Sequence, residues 1–420
     1  MVKEVLDDIR DSAPTKITVD ETLTRGVDAV YPDAESLKAL MDQRPIKLYL
    51  GIDATSPHLH IGHTVPLREL SRFQQLGHHV NLLFGGFTSL IGDPSDKSAA
   101  RKKQTPEQVA TNMATYLYQA GKVLDLSPNA ATPINVVNNN DWLADMKFSD
   151  VIELASYFTL QQIEDRDVYR KRRLEDKPIW MHELMYILMQ AEDSSAQNVD
   201  LEVGGSDQIF NMLAGRELVK RKNGHDKWVL AMKLIMDTAG KTKMGKSEGN
   251  ALNVTDPADW KMESLMQWGD RTIIQSLEQL TTVRTDVVER VRTSLPKFMA
   301  GEKGGPVVLK ESVSYRIIRD LDGKPEADFA LEEFGRVKQQ GELPSRIQEV
   351  DVDPNTELVE VLVQAGLASD RTDANTKLKG STVFVDGELV KRNRKWGDKS
   401  DSLISIGKKT IRNIRRIKIE

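Results

Sequence analysis

The chain has 420 residues, a formal net charge of −5, 39% hydrophobic and 29% charged residues, and no cysteine. That length suggests two to three domains with real cores, and the absence of thiols excludes a disulfide framework, cysteine–zinc sites and thiol catalysis. The opening MVKEVLDDIRDS lacks a secretory apolar core and no run reaches the ~18–20 apolar residues of a membrane span, so a cytoplasmic protein with no membrane partner is expected.

Residues 1–45 read as a polar, helical lead-in arm. Residues 46–52 form an apolar, β-branched run of the kind that fills a buried strand. Asp53-Ala54-Thr55-Ser56-Pro57 then turns the chain. His58, His60, Gly62 and His63 open an amphipathic helix over about 62–76, with Val65, Leu67, Leu70 and Phe73 at helical spacing. A helix start offers backbone N–H groups and a dipole that favour an anion. Imidazoles add donors to phosphate oxygens, and Gly62 lets a flat ligand lie against the backbone. A solvated helix start would use the same residues. The His60/His63 spacing also permits metal ligation, but no Cys or carboxylate completes a usual set, and no bound metal is expected.

A strand at 80–85, a glycine-rich turn, a helix over about 106–124 and a strand at 133–138 continue the alternation. The helix opens with a capping box, Thr105-Pro106-Glu107-Gln108. Strands alternating with helices predict an α/β fold, a parallel Rossmann-like sheet covered on both faces, with ligands at the carboxyl ends of the strands. Apolar segments at 179–190 and 228–236 complete a first domain over 1–253. Helical patterns at 257–269, 271–281, 284–298, 306–320 and 326–338 make 254–342 an α-helical domain. A linker at 343–355 leads to a small α+β module over 356–420, with helices at 356–365 and 370–379 and a type I′ hairpin at Asp386-Gly387. From Lys377 to Glu420, thirteen basic residues stand against five acidic ones. That is the footprint of a phosphate-backbone contact; a solvated tail would share the composition, but the hairpin speaks against it.

Four further stretches carry chemistry. In Gly85-Gly86-Phe87-Thr88-Ser89-Leu90-Ile91-Gly92-Asp93 the glycines follow a strand, so Asp93 can accept from an ammonium, and Lys97 and Arg101 are placed to meet phosphates; a plain turn explains Gly-Asp-Pro equally. Tyr186, Gln190 and Asp193 stand at i, i+4 and i+7, one helix face shared with apolar residues that face the core. That stripe implies either a ligand or buried polar neighbours. In Val203-Gly204-Gly205-Ser206-Asp207-Gln208 a strand enters a helix through glycines, leaving Asp207 to hold a ribose hydroxyl pair. Finally, Lys243-Met244-Gly245-Lys246-Ser247 can neutralise a triphosphate, against the bland reading of a surface loop with incidental lysines.

His60-Ile61-Gly62-His63 resembles the HIGH signature of the class I aminoacyl-tRNA synthetases, and the 243–247 stretch resembles their KMSKS loop. In order and spacing the five pieces resemble the tyrosyl-tRNA synthetase family over nearly the whole chain. The resemblance implies a catalytic domain, a helical anticodon-recognition domain and an RNA-binding module like a ribosomal small-subunit protein. It implies L-tyrosine, ATP with Mg2+ and tRNA(Tyr) as partners, and a homodimer formed through the segment around 148–180. Tyr186, Gln190 and Asp93 would hold the amino group of tyrosine; Asp193, helped by Tyr49, would bind its phenolic hydroxyl. Asp53, Thr55, His60, Gly62, His63, Gly205, Asp207 and Gln208 would line the ATP and adenylate site. Lys243, Lys246 and Ser247 would act on the phosphates, and Lys97 and Arg101 near the pyrophosphate and the tRNA end. The chain departs from the family pattern at Ala54, where proline is usual, at Asp96, where glycine is usual, and at Gly245. A tryptophanyl enzyme would share the catalytic fold but not Asp193 or the basic module, and an RNA-binding relative without activity would not need both histidines and both lysines.

Overall fold

The computed structural model describes residues 2–14, 16–94, 104–236, 251–301, 304–397, 400–407 and 414–419. Lys97, Arg101, Lys243, Lys246 and Ser247 lie outside the described residues. The chain divides into two compact units, Met1–Thr255 with Trp268–Leu309, and Asp256–Gln267 with Lys310–Glu420.

The first unit is built on six strands, β1 (Val27–Tyr31), β2 (Lys47–Asp53), β3 (His79–Gly85), β4 (Asn135–Asn138), β5 (Leu201–Gly205) and β6 (Trp228–Met232), in the order β1-β6-β5-β2-β3-β4. β2 to β6 are parallel, and the alternating strand and helix patterns of the sequence thus yield the expected covered sheet. Leu48, Leu50, Val80, Leu82, Leu201, Val203, Val229 and Leu230 are all buried, which is why these strands read as continuous apolar runs rather than alternating ones. The winding direction reverses between β2 and β5, the place where a doubly wound sheet opens a ligand crevice. There the two strands pair only through Leu48–Leu201 and Tyr49–Glu202, and both run on unpaired with each other to Asp53 and Gly205.

The first 45 residues differ from a helical arm. Helices α1 (Val2–Asp11), α2 (Val19–Thr24) and α3 (Ala34–Gln43) are joined by β1, which pairs antiparallel with β6 from Tyr31–Val229 to Val27–Met232. Five residues of V-D-A-V-Y are too short a signal to stand out among helical neighbours; the open edge of β6 is what draws them into a strand. After α4 (Thr64–Gln75), the helix expected over 106–124 is two pieces, α5 (Pro106–Met113) and α6 (Tyr116–Ala120). The capping box at Thr105 is formed. The break serves the loop after β2: Thr115 Oγ1 donates to the Pro57 carbonyl at 3.0 Å, Tyr116 OH to that of Ser56 at 2.5 Å, and Leu59 N donates to Gln119 Oε1 at 2.7 Å. The rest of the unit carries α7 (Asn140–Leu143), α8 (Phe148–Ser156), α9 (Leu160–Glu164), α10 (Asp167–Leu174), α11 (Met181–Gln197) and α12 (Ile209–Leu218), then helices at Ile273–Leu280 and Thr285–Met299.

In the second unit the helix Ala258–Met266 packs on Lys324–Gln339, and the buried Lys261 pairs with Asp322 at 2.6 Å. A five-stranded sheet, β7 (Glu349–Val352), β8 (Val383–Val385), β9 (Glu388–Val390), β10 (Ser402–Ile406) and β11 (Ile414–Ile419), has the order β7-β11-β10-β8-β9. With helices Leu358–Gln364 and Arg371–Lys379 it encloses a core that includes Leu362, Val383, Ile404 and Ile417. β8 and β9 meet across Asp386 and Gly387, both at positive φ (51° and 85°), as a type I′ hairpin requires. Among the described residues, no helix is long and apolar enough to cross a membrane.

Candidate active site

A cavity of about 410 Å³ opens where β2 and β5 part. Its walls come from the ends of these strands, from the residues that follow them and from one face of α11. Tyr49, Asp53, Thr55, His60, Gly62 and His63 line it from β2 onward, Asp93 from the turn after β3, and Tyr186, Gln190 and Asp193 from α11. Gly205, Asp207 and Gln208 line it from the β5 exit. Every described residue expected at the site therefore borders one space.

The histidine segment is a short 3-10 turn, Ile61–His63, running into α4. The two imidazole rings meet with centroids 3.8 Å apart and planes tilted by 40°. A Cβ on Gly62 would lie 2.9 Å from His60 Nδ1, so glycine is required for this approach. Residues 252–254 are stitched to this segment: Ile61 N donates to the Leu252 carbonyl at 2.7 Å, Val254 N to that of Leu59 at 2.8 Å. Lys233, Leu234 and Ile235, just past β6, also border the cavity. Both described approaches to the 243–247 stretch thus touch the site.

Asp193 is 3% exposed. Trp142 Nε1 donates to its Oδ1 at 2.9 Å and Asn139 Nδ2 to its Oδ2 at 3.1 Å. Burial pushes its carboxyl well above the usual carboxylate range, and these two neutral donors oppose the rise without reversing it. Asn139 also donates to Thr88 Oγ1 at 3.0 Å, Thr88 Oγ1 donates to Asp53 Oδ1 at 2.7 Å, and Tyr186 OH donates to Asp53 Oδ2 at 2.8 Å. Burial, then the nearby Asp53 charge, pushes the Tyr186 phenol up, so it stays a donor. The Tyr49 hydroxyl lies 3.0 Å from Ser194 Oγ. Asp93 accepts from Gln208 Nε2 at 2.6 Å and pairs with Arg166 at 3.3 Å. A Cβ on Gly205 would lie 2.6 Å from Asp207 Oδ1, so this glycine too makes room for a polar neighbour.

Sequence reading missed Asn139, Trp142, Arg166, Glu202 and Lys227. Glu202 and Lys227 left a signal: one charge inside the apolar run of β5 and another directly before β6, both almost wholly buried (2% and 0% exposed). Asn139 and Trp142 reach Asp193 across more than fifty residues of chain, and no local pattern marks them.

The arrangement can do two things. The buried carboxylate with aromatic neighbours can select a hydroxyl-bearing side chain, and the histidine turn with the β5 exit can hold a nucleotide. The model of the family "tRNA synthetases class I (W and Y)" matches residues 41–313. A tyrosine–tRNA ligase of Mannheimia succiniciproducens is 34% identical over 93% of this chain and 97% of its own, and one of Thermotoga maritima is 36% identical over 88% and 90%. Among solved structures, a C-terminally truncated mitochondrial tyrosyl-tRNA synthetase of Aspergillus nidulans aligns with a TM-score of 0.66 at 20% identity, over 80% of this chain and 98% of that one. The Archaeoglobus fulgidus tyrosyl-tRNA synthetase complexed with L-tyrosine aligns at 0.56 and 20% identity, over 79% and 100%. At such identities these two are likenesses of fold. With the family model covering the cavity and relatives covering almost the full length, the chain belongs to the tyrosyl-tRNA synthetase family of class I aminoacyl-tRNA synthetases.

Proposed function

We propose that the chain is a tyrosine–tRNA ligase that works in two steps. The carboxylate of L-tyrosine attacks the α-phosphate of ATP, supplied as its magnesium complex, in line; the α–β phosphoanhydride breaks, giving tyrosyl-adenylate and pyrophosphate. A hydroxyl of the terminal ribose of tRNA(Tyr) then takes the acyl group and AMP leaves. Catalysis rests on positioning and on donors aimed at charge that develops on the phosphates.

The observation that carries the choice of tyrosine is Asp193, a buried carboxylate on the cavity wall held by Trp142 and Asn139. A phenol would complete its hydrogen bonding, whereas a phenyl ring would leave a buried acceptor short of a partner. In the same reading Tyr186, Gln190 and Asp93 receive the ammonium, with Tyr49 helping Asp193 at the phenolic hydroxyl. His60 and His63 face the phosphates, while Asp53, Thr55, Gly62, Gly205, Asp207 and Gln208 hold the adenosine and adenylate. Lys243, Lys246 and Ser247 join at the triphosphate, supported by the approach of residues 233–235 to the cavity. Lys97 and Arg101 serve the pyrophosphate and the tRNA end.

The helices within 254–342 serve as the anticodon-recognition domain, and the basic module over 356–420, after the 343–355 linker, binds tRNA backbone. A homodimer forms through the face around 148–180, where Phe148, Leu174 and Met181 are 81%, 89% and 70% exposed. The protein acts in the cytoplasm. The test is exchange of labelled pyrophosphate into ATP with each of the twenty amino acids. Exchange with tyrosine alone is expected; exchange with tryptophan would overturn the reading of Asp193, and no exchange from folded protein would overturn ligase activity.

A further inference from the structure

Along the cavity wall, seven side chains form one continuous hydrogen-bonded line that ends in an ion pair on each side. At one end Lys227 Nζ meets Glu202 Oε2; at the other Arg166 Nη2 meets Asp93 Oδ1 at 3.3 Å. Between them Gln190 Nε2 donates to Glu202 Oε1 at 3.0 Å and Gln208 Nε2 donates to Asp93 Oδ2 at 2.6 Å. Asn211 Nδ2 closes the line, donating to Gln190 Oε1 at 2.9 Å and Gln208 Oε1 at 3.1 Å.

The line can run in one direction only. An ionised carboxylate accepts and does not donate, so each glutamine must turn its NH2 to its carboxylate and its carbonyl oxygen to Asn211. Turning over the Gln190 amide would set oxygen against oxygen at Glu202 and N–H against N–H at Asn211. Asn211 bears the cost of this polarity: its Oδ1 is buried with no hydrogen-bond partner among the described residues.

Glu202 can impose that direction only as an anion, and Lys227 is the cation that keeps it one. Lys227 is fully buried, so water does not replace it. Ser194 Oγ braces the pair, accepting from Lys227 Nζ at 2.8 Å and donating to Glu202 Oε2 at 3.1 Å. Gly215, in the interior of α12, makes the room: a Cβ there would lie 2.7 Å from both Lys227 Nζ and Ser194 Oγ.

Resting on the ligase reading, we infer that Glu202 and Lys227 are positioning residues for the amino-acid site, locking the Gln190 amide so that a carbonyl lone pair awaits the substrate ammonium. Lys227 stands outside the cavity lining, and the oxygens of Glu202 are already engaged by Lys227, Ser194 and Gln190. The pair's effect passes through Gln190 and falls on the ammonium alone.

The double variant Glu202→Gln/Lys227→Met keeps volume and leaves neither charge unpaired. Its affinity for L-tyrosine and for 3-(4-hydroxyphenyl)propanoate, which lacks the ammonium, is measured by calorimetry beside wild type, together with KM and kcat for tyrosine-dependent pyrophosphate exchange. Expected is a roughly ten- to hundred-fold weakening for tyrosine, the loss of about one charge-assisted hydrogen bond. The des-amino acid should bind as in wild type, and kcat should change far less than KM. Equal weakening of both ligands would reduce the pair to a structural role and overturn the inference, as would unchanged tyrosine binding. Wild type without tyrosine-dependent exchange would overturn the ligase reading itself, and the inference with it. Should this double variant fail to fold, Glu202→Gln/Lys227→Gln, which also leaves neither charge unpaired and lets the two amides bond each other, makes the same comparison, because an amide at 202 no longer dictates which group of Gln190 it meets.

Discussion

Asp193 and Glu202 are both buried carboxylates on the wall of one cavity, but they are held by opposite means. Asp193 is met by the neutral donors Trp142 and Asn139, and burial raises its carboxyl well above the usual range. Glu202 is met by an ammonium, a hydroxyl and an amide, and its lone pairs are spoken for before any ligand arrives. The first corner stores an unmet demand, which a ligand hydroxyl can satisfy and a hydrocarbon cannot. The second stores geometry. One pocket thus separates choosing a side chain from orienting a backbone, and it does so by deciding which carboxylate receives a cation.

The largest break in that comparison should come from Lys227→Met alone, which strands Glu202 as an uncompensated buried charge. A loss of about 3–5 kcal/mol in urea unfolding is expected, against a markedly smaller loss in the double variant with Glu202→Gln. Equal losses would show that the ion pair is incidental. Next is Asp193→Ala. Discrimination of tyrosine from phenylalanine in pyrophosphate exchange should fall by roughly 10–150-fold, the worth of a hydrogen bond to a charged group; intact discrimination would remove Asp193 from its role.

Gly215→Ala sharpens the other side. Helix propensity alone would make alanine better by about 1 kcal/mol. Because the new Cβ meets Lys227 Nζ and Ser194 Oγ, we expect the sign to reverse, with a loss of about 1–3 kcal/mol from overpacking, read in the same unfolding experiment. The smallest effect is one of pH. The Asp193 carboxyl is raised in the folded state, so the fold binds its proton more tightly than the unfolded chain does, and stability falls as pH climbs from about 4 through the folded value. Asp193→Asn lacks that titration. Its melting temperature should improve relative to wild type as pH rises across this interval, and a difference independent of pH would contradict the raised carboxyl.

How far the site could be read in sequence followed chain distance. His60, Gly62 and His63 were legible because strand, turn and helix succeed one another within twenty residues, and Tyr186, Gln190 and Asp193 because helical spacing alone puts them on one face. Asn139 and Trp142 were not, since only the packing of α7 against α11 brings them to Asp193. Glu202 and Lys227 lay in plain view as charges next to apolar strands, yet nothing local says that they meet. β1 was missed for a related reason: a five-residue strand acquires its identity from the partner whose edge it covers.

That cover bears on how the chain can be shortened. A helical-looking lead-in invites deletion, and a trimmed version beginning near residue 46 would look harmless on paper. It would strip β1 from β6 and leave Val229, Leu230, Ala231 and Met232 as an open, apolar edge, a template on which copies of the chain pair and aggregate. The Lys233 amide, which donates to the Gly26 carbonyl at 2.9 Å, marks where the seam starts. Keeping the seam shut requires a start before Gly26, and the buried Val5, Ile9 and Leu23 mean that α1 and α2 must be kept as well.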